Sequence, residues 1–145
     1  MFAKQFLPLL LAATAFSVPA FADVTGKWQG SGQWDYDGSA VPCLLTMNFV
    51  ENATSLQRQE SRLDCDLVTM YSDPLTWSKD GPALVLNGTP AGSWDVHGFK
   101  SKEMANDQVE VETEFNVLTG KYLESWRKLS DGSIVYKIDA KLIKK

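Results

Sequence analysis

The chain is poor in the residues that metal and acid–base chemistry draw on. Its 145 residues include one histidine, His97, and two cysteines, Cys43 and Cys65. One imidazole and two thiols that pair with each other leave too few ligands for a zinc or other transition-metal centre. The acidic residues do not replace them. Glu110, Glu112 and Glu114 alternate along one run and lack the spacing of a calcium loop. Basic residues are in deficit, 14 against 18 acidic, for a net charge of −4. With no basic stripe, the chain is a poor candidate for binding nucleic acid or an anionic membrane surface, and neither a nucleic-acid partner nor a membrane span is expected. No cofactor motif is present.

Long apolar runs are confined to the start of the chain. Residues 6–18 are apolar, but Pro19 ends them too soon for a membrane span. Lys4 precedes this run and Ala20-Phe21-Ala22 follows it, in the small-x-small pattern of a signal-peptidase site. Residues 1–22 are therefore expected to be a cleaved secretory signal peptide. The segment has no cysteine to carry a lipid anchor. Loss of Lys4 leaves 13 basic against 18 acidic residues and moves the charge from −4 to −5. An exported protein, periplasmic or secreted, is expected, with residues 23–145 forming a single domain.

What the chain has in quantity is turns. Asp37-Gly38, Asn52 to Ser55, Asp80-Gly81, Asn87-Gly88, Asn106-Asp107, Thr119-Gly120 and Asp131-Gly132 recur at strand-like spacing. The runs between them are rich in β-branched and aromatic residues. Strands are predicted over 24–36, 43–51, 55–65, 67–77, 83–87, 93–99, 108–117, 121–129 and 133–144, with one helical turn over 100–105. Such hairpin-sized connections predict an all-β fold, an antiparallel up-and-down meander β-barrel of about 8–9 strands.

Two cysteines in an exported chain most simply pair. Folding about Thr54 sets Cys43 opposite Cys65, Leu45 opposite Leu63, Met47 opposite Ser61 and Phe49 opposite Gln59. Arg58, Glu60, Arg62 and Asp64 then face water. Directly opposed positions suit a disulfide, and closing this loop contributes on the order of 3 kcal/mol.

The last hairpin supplies the functional pointer. Ile134, Tyr136, Ile138, Ala140 and Leu142 alternate with polar residues, and Asp131-Gly132 suits a two-residue turn. That turn sets Arg127 opposite Tyr136, Ser125 opposite Ile138 and Leu123 opposite Ala140, so Arg127 points inward. A guanidinium inside a barrel requires a partner.

The first mature strand reads Val24-Thr25-Gly26-Lys27-Trp28, whose G-x-W resembles the opening of lipocalins and the wider calycin group. Thr-Gly-Lys-Trp also resembles the start of avidin-like barrels, although their later tryptophan motifs are missing and biotin binding does not carry over. The resemblance implies a lipocalin-like meander barrel that binds small molecules inside. In lipocalins a late arginine stacks on the first tryptophan. Arg127 is the matching residue type, but the register puts it at the other end from Trp28.

Period two sends Trp28, Gly30, Gly32, Trp34 and Tyr36 inward, the glycines leaving interior room. Trp34, Tyr36, Arg127 and Tyr136 then gather at one end. An arginine ringed by aromatics holds a carboxylate or phosphate, or else stacks on Trp34 as a plug. Ser93, Asp95 and His97 share a strand face without the geometry of a triad, so no catalytic residue is assigned. Tyr122 and Trp126, with Lys137 and Lys141, fall on the outer face as a possible protein interface. The sequence thus points to an exported, non-enzymatic barrel holding an amphipathic or anionic ligand. The alternative is a filled barrel acting on a protein partner as an interaction or enzyme-inhibitor module.

Overall fold

A computed structural model describes residues 23–145, so the expected signal segment 1–22 lies outside the described residues. Twelve strands and no helix make up the described chain. β1 (Gly26–Tyr36) turns into β2 (Ser39–Glu51) through Asp37 and Gly38, at φ 52° and 75°. Two successive positive φ angles are what the tightest hairpin turn requires, and Asp-Gly supplies them at low cost. The side-chain carbonyl of Asn52 accepts hydrogen bonds from the amides of Thr54 and Ser55 and so turns the chain into β3 (Ser55–Cys65).

β4 (Thr69–Ser72) and β5 (Leu75–Asp80) both pair with β3 and form one descending pass, interrupted at Asp73-Pro74. Proline has no amide hydrogen to continue a ladder. β6 (Ala83–Leu86) and β7 (Thr89–Asp95) are joined by Asn87-Gly88, again with two positive φ angles, 51° and 78°. β8 (Gly98–Met104), β9 (Val109–Asn116), β10 (Lys121–Lys128) and β11 (Ile134–Lys141) follow as hairpins, and β12 (Ile143–Lys144) ends the sheet.

Neighbouring strands pair antiparallel around a single sheet, and β1 pairs with β2 on one side and with β11 and β12 on the other. The strands therefore close into a ring and leave no long open edge, the hazard that closure removes. Twelve strands make ten passes, because β4–β5 and β11–β12 each share one. The all-β antiparallel meander expected from the sequence is present, with more strands than the eight or nine foreseen. The predicted helical turn over 100–105 is a correction: residues 100–104 are the end of β8, hydrogen-bonded to β9.

Cys43 and Cys65 form the expected disulfide, with Cα atoms 4.3 Å apart. The β2–β3 register holds from Cys43↔Cys65 through Asn48↔Glu60 and then slips at a bulge, so that Phe49 faces Arg58 and not Gln59. Because side chains alternate, that one-residue slip turns Arg58 from the solvent face to the interior.

The last hairpin needs the larger correction. Of Asp131 and Gly132 only Gly132 has positive φ, 71°, and the chain spends residues 129–133 on the turn. The observed pairs are Tyr122↔Ala140, Glu124↔Ile138 and Trp126↔Tyr136, with a bulge before Arg127↔Ile134. The inward face of β10 is thus Tyr122, Glu124 and Trp126 in place of Leu123, Ser125 and Arg127.

Gly30 and Gly32 also play a part other than the one expected. A Cβ on Gly30 would lie 1.8 Å from the carbonyl oxygen of Lys141, and one on Gly32 would lie 2.6 Å from the Cβ of Ala140. These glycines let the final strand close onto β1 where β11 gives way to β12; they do not hollow the interior.

One end of the ring is plugged. Trp28, Phe49, Trp77, Phe99 and Phe115 are buried there, with Trp28 edge-on to Phe115 at 4.9 Å between ring centres. Val24 is fully buried beside them and its carbonyl accepts the Trp28 indole N–H at 2.7 Å. Lys144 Nζ sits over the Trp28 ring at 5.7 Å.

Candidate functional site

Away from this plug the interior turns polar, and three strands bring the polar groups together. Arg58 enters from β3 through the bulge. Glu103 enters from β8, two residues beyond Ser101 and four beyond Phe99 on the same face. Glu124 enters from β10 between Tyr122 and Trp126. Arg58 is 6% exposed. Its Nη1 donates to Glu103 Oε2 at 3.0 Å and its Nη2 to Glu103 Oε1 at 3.1 Å. Nη2 also donates to the Asp73 carbonyl at 2.9 Å, where β4 breaks before β5. The guanidinium lies 5.9 Å from the Trp77 ring centre. Its Nε is buried with no hydrogen-bond partner.

Glu124 is also 6% exposed. Tyr122 Oη donates to its Oε2 and Trp126 Nε1 to its Oε1, both at 2.5 Å. Burial pushes the Glu124 carboxyl above the usual glutamate value, against the opposing pull of these two donors and of the Arg58 charge. Burial, then the nearby Glu124 charge, pushes the Tyr122 phenol well up. The same two causes act in the same order on Tyr136.

An aromatic row runs on from Trp126. Trp126 stacks on Tyr136 at 4.7 Å, Tyr136 meets Trp34 edge-on at 5.8 Å, and Trp34 stacks on Tyr36 at 5.7 Å. Tyr36, at 53% exposed, ends the row at the solvent. Two adjoining cavities border it. The larger, about 760 Å³, lies among Arg58, Leu75, Leu86, Ala91, Glu103 and Trp126. The smaller, about 300 Å³, lies among Leu45, Leu63, Met70, Glu124, Trp126 and Tyr136. Trp126 and Ser72 line both. The β6–β7 hairpin, through Asn87 and Thr89, and the β4–β5 break, through Asp73 and Pro74, line the larger cavity.

Of the sequence-predicted ligand residues, Trp34, Tyr36 and Tyr136 come together. Arg127 does not join them: the register places it on the other face, where its Nη1 donates to the Gly132 carbonyl at 2.7 Å. Tyr122 and Trp126 do not form the expected outer surface. Tyr122 is completely buried and Trp126 bridges both cavities. Asp95 and His97 sit at the exposed turn before β8, with His97 Nδ1 3.6 Å from Asp95 Oδ1.

The residues that sequence reasoning missed are Arg58, Glu103 and Glu124. A signal for Glu124 was present: its face carries Tyr122 and Trp126, a larger apolar payload than Leu123, Ser125 and Arg127. A signal for Arg58 was present too. Leu56 and Leu63 have opposite parity in β3, which a strand with both buried can satisfy only through a bulge. No helix among the described residues is long and apolar enough to cross a membrane.

Set against known protein families, curated proteins and solved structures, the chain matches none.

Proposed function

We propose that this chain is an exported, non-enzymatic small-molecule-binding β-barrel of lipocalin-like type, which takes an amphipathic ligand into its interior. The observation that carries the reading is the cavity of about 760 Å³ lined by Arg58, Glu103 and Trp126. A volume of that size is typical of small-molecule sites. Aromatic faces at Trp126, Tyr136 and Trp34 suit an apolar body, and the fixed carboxylates and guanidinium suit a polar group. Lys144 over Trp28 supports the lipocalin-like part, since it supplies a late cation on the first tryptophan, the role that Arg127 is too distant to fill. The disulfide is consistent with an oxidising, exported compartment, of which the periplasm or the extracellular space is the proposed site. An anionic head group loses its rationale with Arg127 on the outside and Arg58 engaged by Glu103. The protein-interaction alternative loses its outer aromatic face, since Tyr122 is buried and Trp126 lines both cavities.

Native mass spectrometry of the exported protein, purified without detergent, tests this reading. A discrete extra mass that is shed on denaturation and absent from Trp126→Ala supports it. A bare chain that also leaves tryptophan fluorescence unchanged when titrated with a neutral amphiphile, 1-dodecanol, overturns it.

A further inference from the structure

The walls of the two cavities carry four acidic side chains, Asp73, Glu103, Glu110 and Glu124, and two basic ones, Arg58 and Lys102. Arg58 spends both Nη groups on Glu103. Among the described residues Glu124 takes part in no ion pair. Its two hydrogen bonds come from the neutral donors Tyr122 and Trp126, one to each oxygen. Each carboxylate oxygen accepts more than one hydrogen bond, so both keep an acceptor site in use by neither neighbour. An ionised carboxylate buried without a cation is among the costliest arrangements a protein interior holds.

What surrounds this carboxylate is suited to a cation. Trp126 donates to it through the indole edge and presents its face to Tyr136 at 4.7 Å, and Trp34 lies against Tyr136 beyond. Indole and phenol faces attract ammonium groups, more strongly where water is excluded. Leu45, Leu63 and Met70 form the apolar remainder of the same cavity.

We infer that the ligand is a cationic amphiphile, a protonated amine on an apolar body, whose ammonium group pairs with Glu124 beside Trp126 and Tyr136. This rests on the interior-binding reading above and names the chemistry of its ligand. The two donors hold the carboxylate in one orientation before the ligand arrives, so little ordering remains to be done on binding. The Arg58–Glu103 and Lys102–Glu110 pairs in the same walls add no net charge, and the cavities therefore present the sign of the remaining acidic residues, Asp73 and Glu124.

Three probes of equal chain length separate the possibilities: dodecylamine, 1-dodecanol and sodium dodecanoate. The amine and the dodecanoate are titrated below their micelle concentrations, and the alcohol below its solubility limit, against the disulfide-intact protein near neutral pH, by calorimetry and tryptophan fluorescence. The expected order is amine tightest, by about tenfold over the alcohol, with dodecanoate weakest. Glu124→Gln is expected to erase the margin of amine over alcohol while leaving alcohol binding in place. Glu114→Gln, which removes an exposed charge of the same sign, is expected to keep it. Should Glu124→Gln fail to fold, the wild-type titration repeated at about 0.5 M salt decides: a buried pair keeps its margin, whereas surface attraction is screened away. Alcohol and amine binding alike, dodecanoate binding as tightly as the amine, or a margin lost to salt would each overturn the inference and leave interior binding standing. Failure of all three probes to bind would overturn both.

Discussion

Arg58 and Glu103 meet across the interior as a two-pronged ion pair, at 3.0 and 3.1 Å, between strands that are not neighbours in the sheet. Their side chains are 6% and 15% exposed. The pair ties β3 to β8 through the space the ring encloses, and the Asp73 carbonyl fixes it to the β4–β5 break as well. Removing one partner leaves the other charged and buried. Arg58→Met is therefore expected to lower the unfolding free energy by about 3–5 kcal/mol, and the double replacement Arg58→Met/Glu103→Met to recover most of that loss. Urea unfolding of the wild type, the single and the double variant measures this. A single variant within about 1 kcal/mol of wild type would show that the pair is solvated in solution.

Cys43 and Cys65 lock the β2–β3 hairpin at the end away from its turn, with 22 residues of sequence separation. Most of the benefit comes from restricting the unfolded chain. Cys43→Ala/Cys65→Ala is expected to lower stability by about 3 kcal/mol while the far-ultraviolet dichroism of the folded state stays the same. Thiol titration of the denatured, unreduced wild type is expected to find no free thiol, and two free thiols would refute the pairing.

The sequence made the sheet legible wherever the turn chemistry was local. Asp37-Gly38 and Asn87-Gly88 announce their turns, and both adopt the two positive φ angles that the dipeptides favour. Cys43 opposite Cys65 followed from counting out from the Asn52 turn. Reading failed where one inserted residue inverts the faces. Asp131-Gly132 carries the same signal as Asp37-Gly38, yet the hairpin closes through a longer turn with a bulge after Trp126. Every assignment on β10 inverted with it, so Arg127 moved out and Glu124 moved in. The bulge at Asn48/Phe49 did the same to Arg58. Three aromatics of the candidate site, Trp34, Tyr36 and Tyr136, were legible because β1 and β11 keep unbroken alternation over those residues. Its charges were hidden because two of the three depend on bulges, which balance long-range packing against local pairing.

Gly30 sits where β1 passes from β11 to β12, and the Lys141 carbonyl occupies the place its side chain would take. The obstructing atom is backbone, so a rotamer change cannot relieve the contact. Gly30→Ala is expected to cost about 2 kcal/mol or more, in the upper part of the usual range of overpacking. Gly38→Ala, in a turn with open space around it, isolates the cost of a positive φ alone. Thermal unfolding of both variants makes the comparison. A Gly30→Ala protein as stable as Gly38→Ala would mean that the seam between first and last strands yields easily.

Glu124 gives the fold a pH dependence of definite sign. Burial raises its folded-state value above the ordinary 4.5, so between the two values the folded protein binds the proton that the unfolded chain has released. Stability then falls as pH rises. The contribution is complete below about pH 4.5 and is lost as pH climbs through the folded value. Glu124→Gln has no proton to release at this position. The stability of wild type relative to Glu124→Gln is therefore expected to decrease as pH rises above about 4.5 and to level off once the folded-state carboxyl has also released its proton, as read from urea midpoints at several pH values. A cationic ligand reverses that trend, because pairing with the carboxylate stabilises the charged form and lowers its value. In the presence of dodecylamine the difference is expected to flatten or change sign at neutral pH. An unliganded difference that is flat with pH would show that water reaches the carboxylate and keeps it ionised in the folded state.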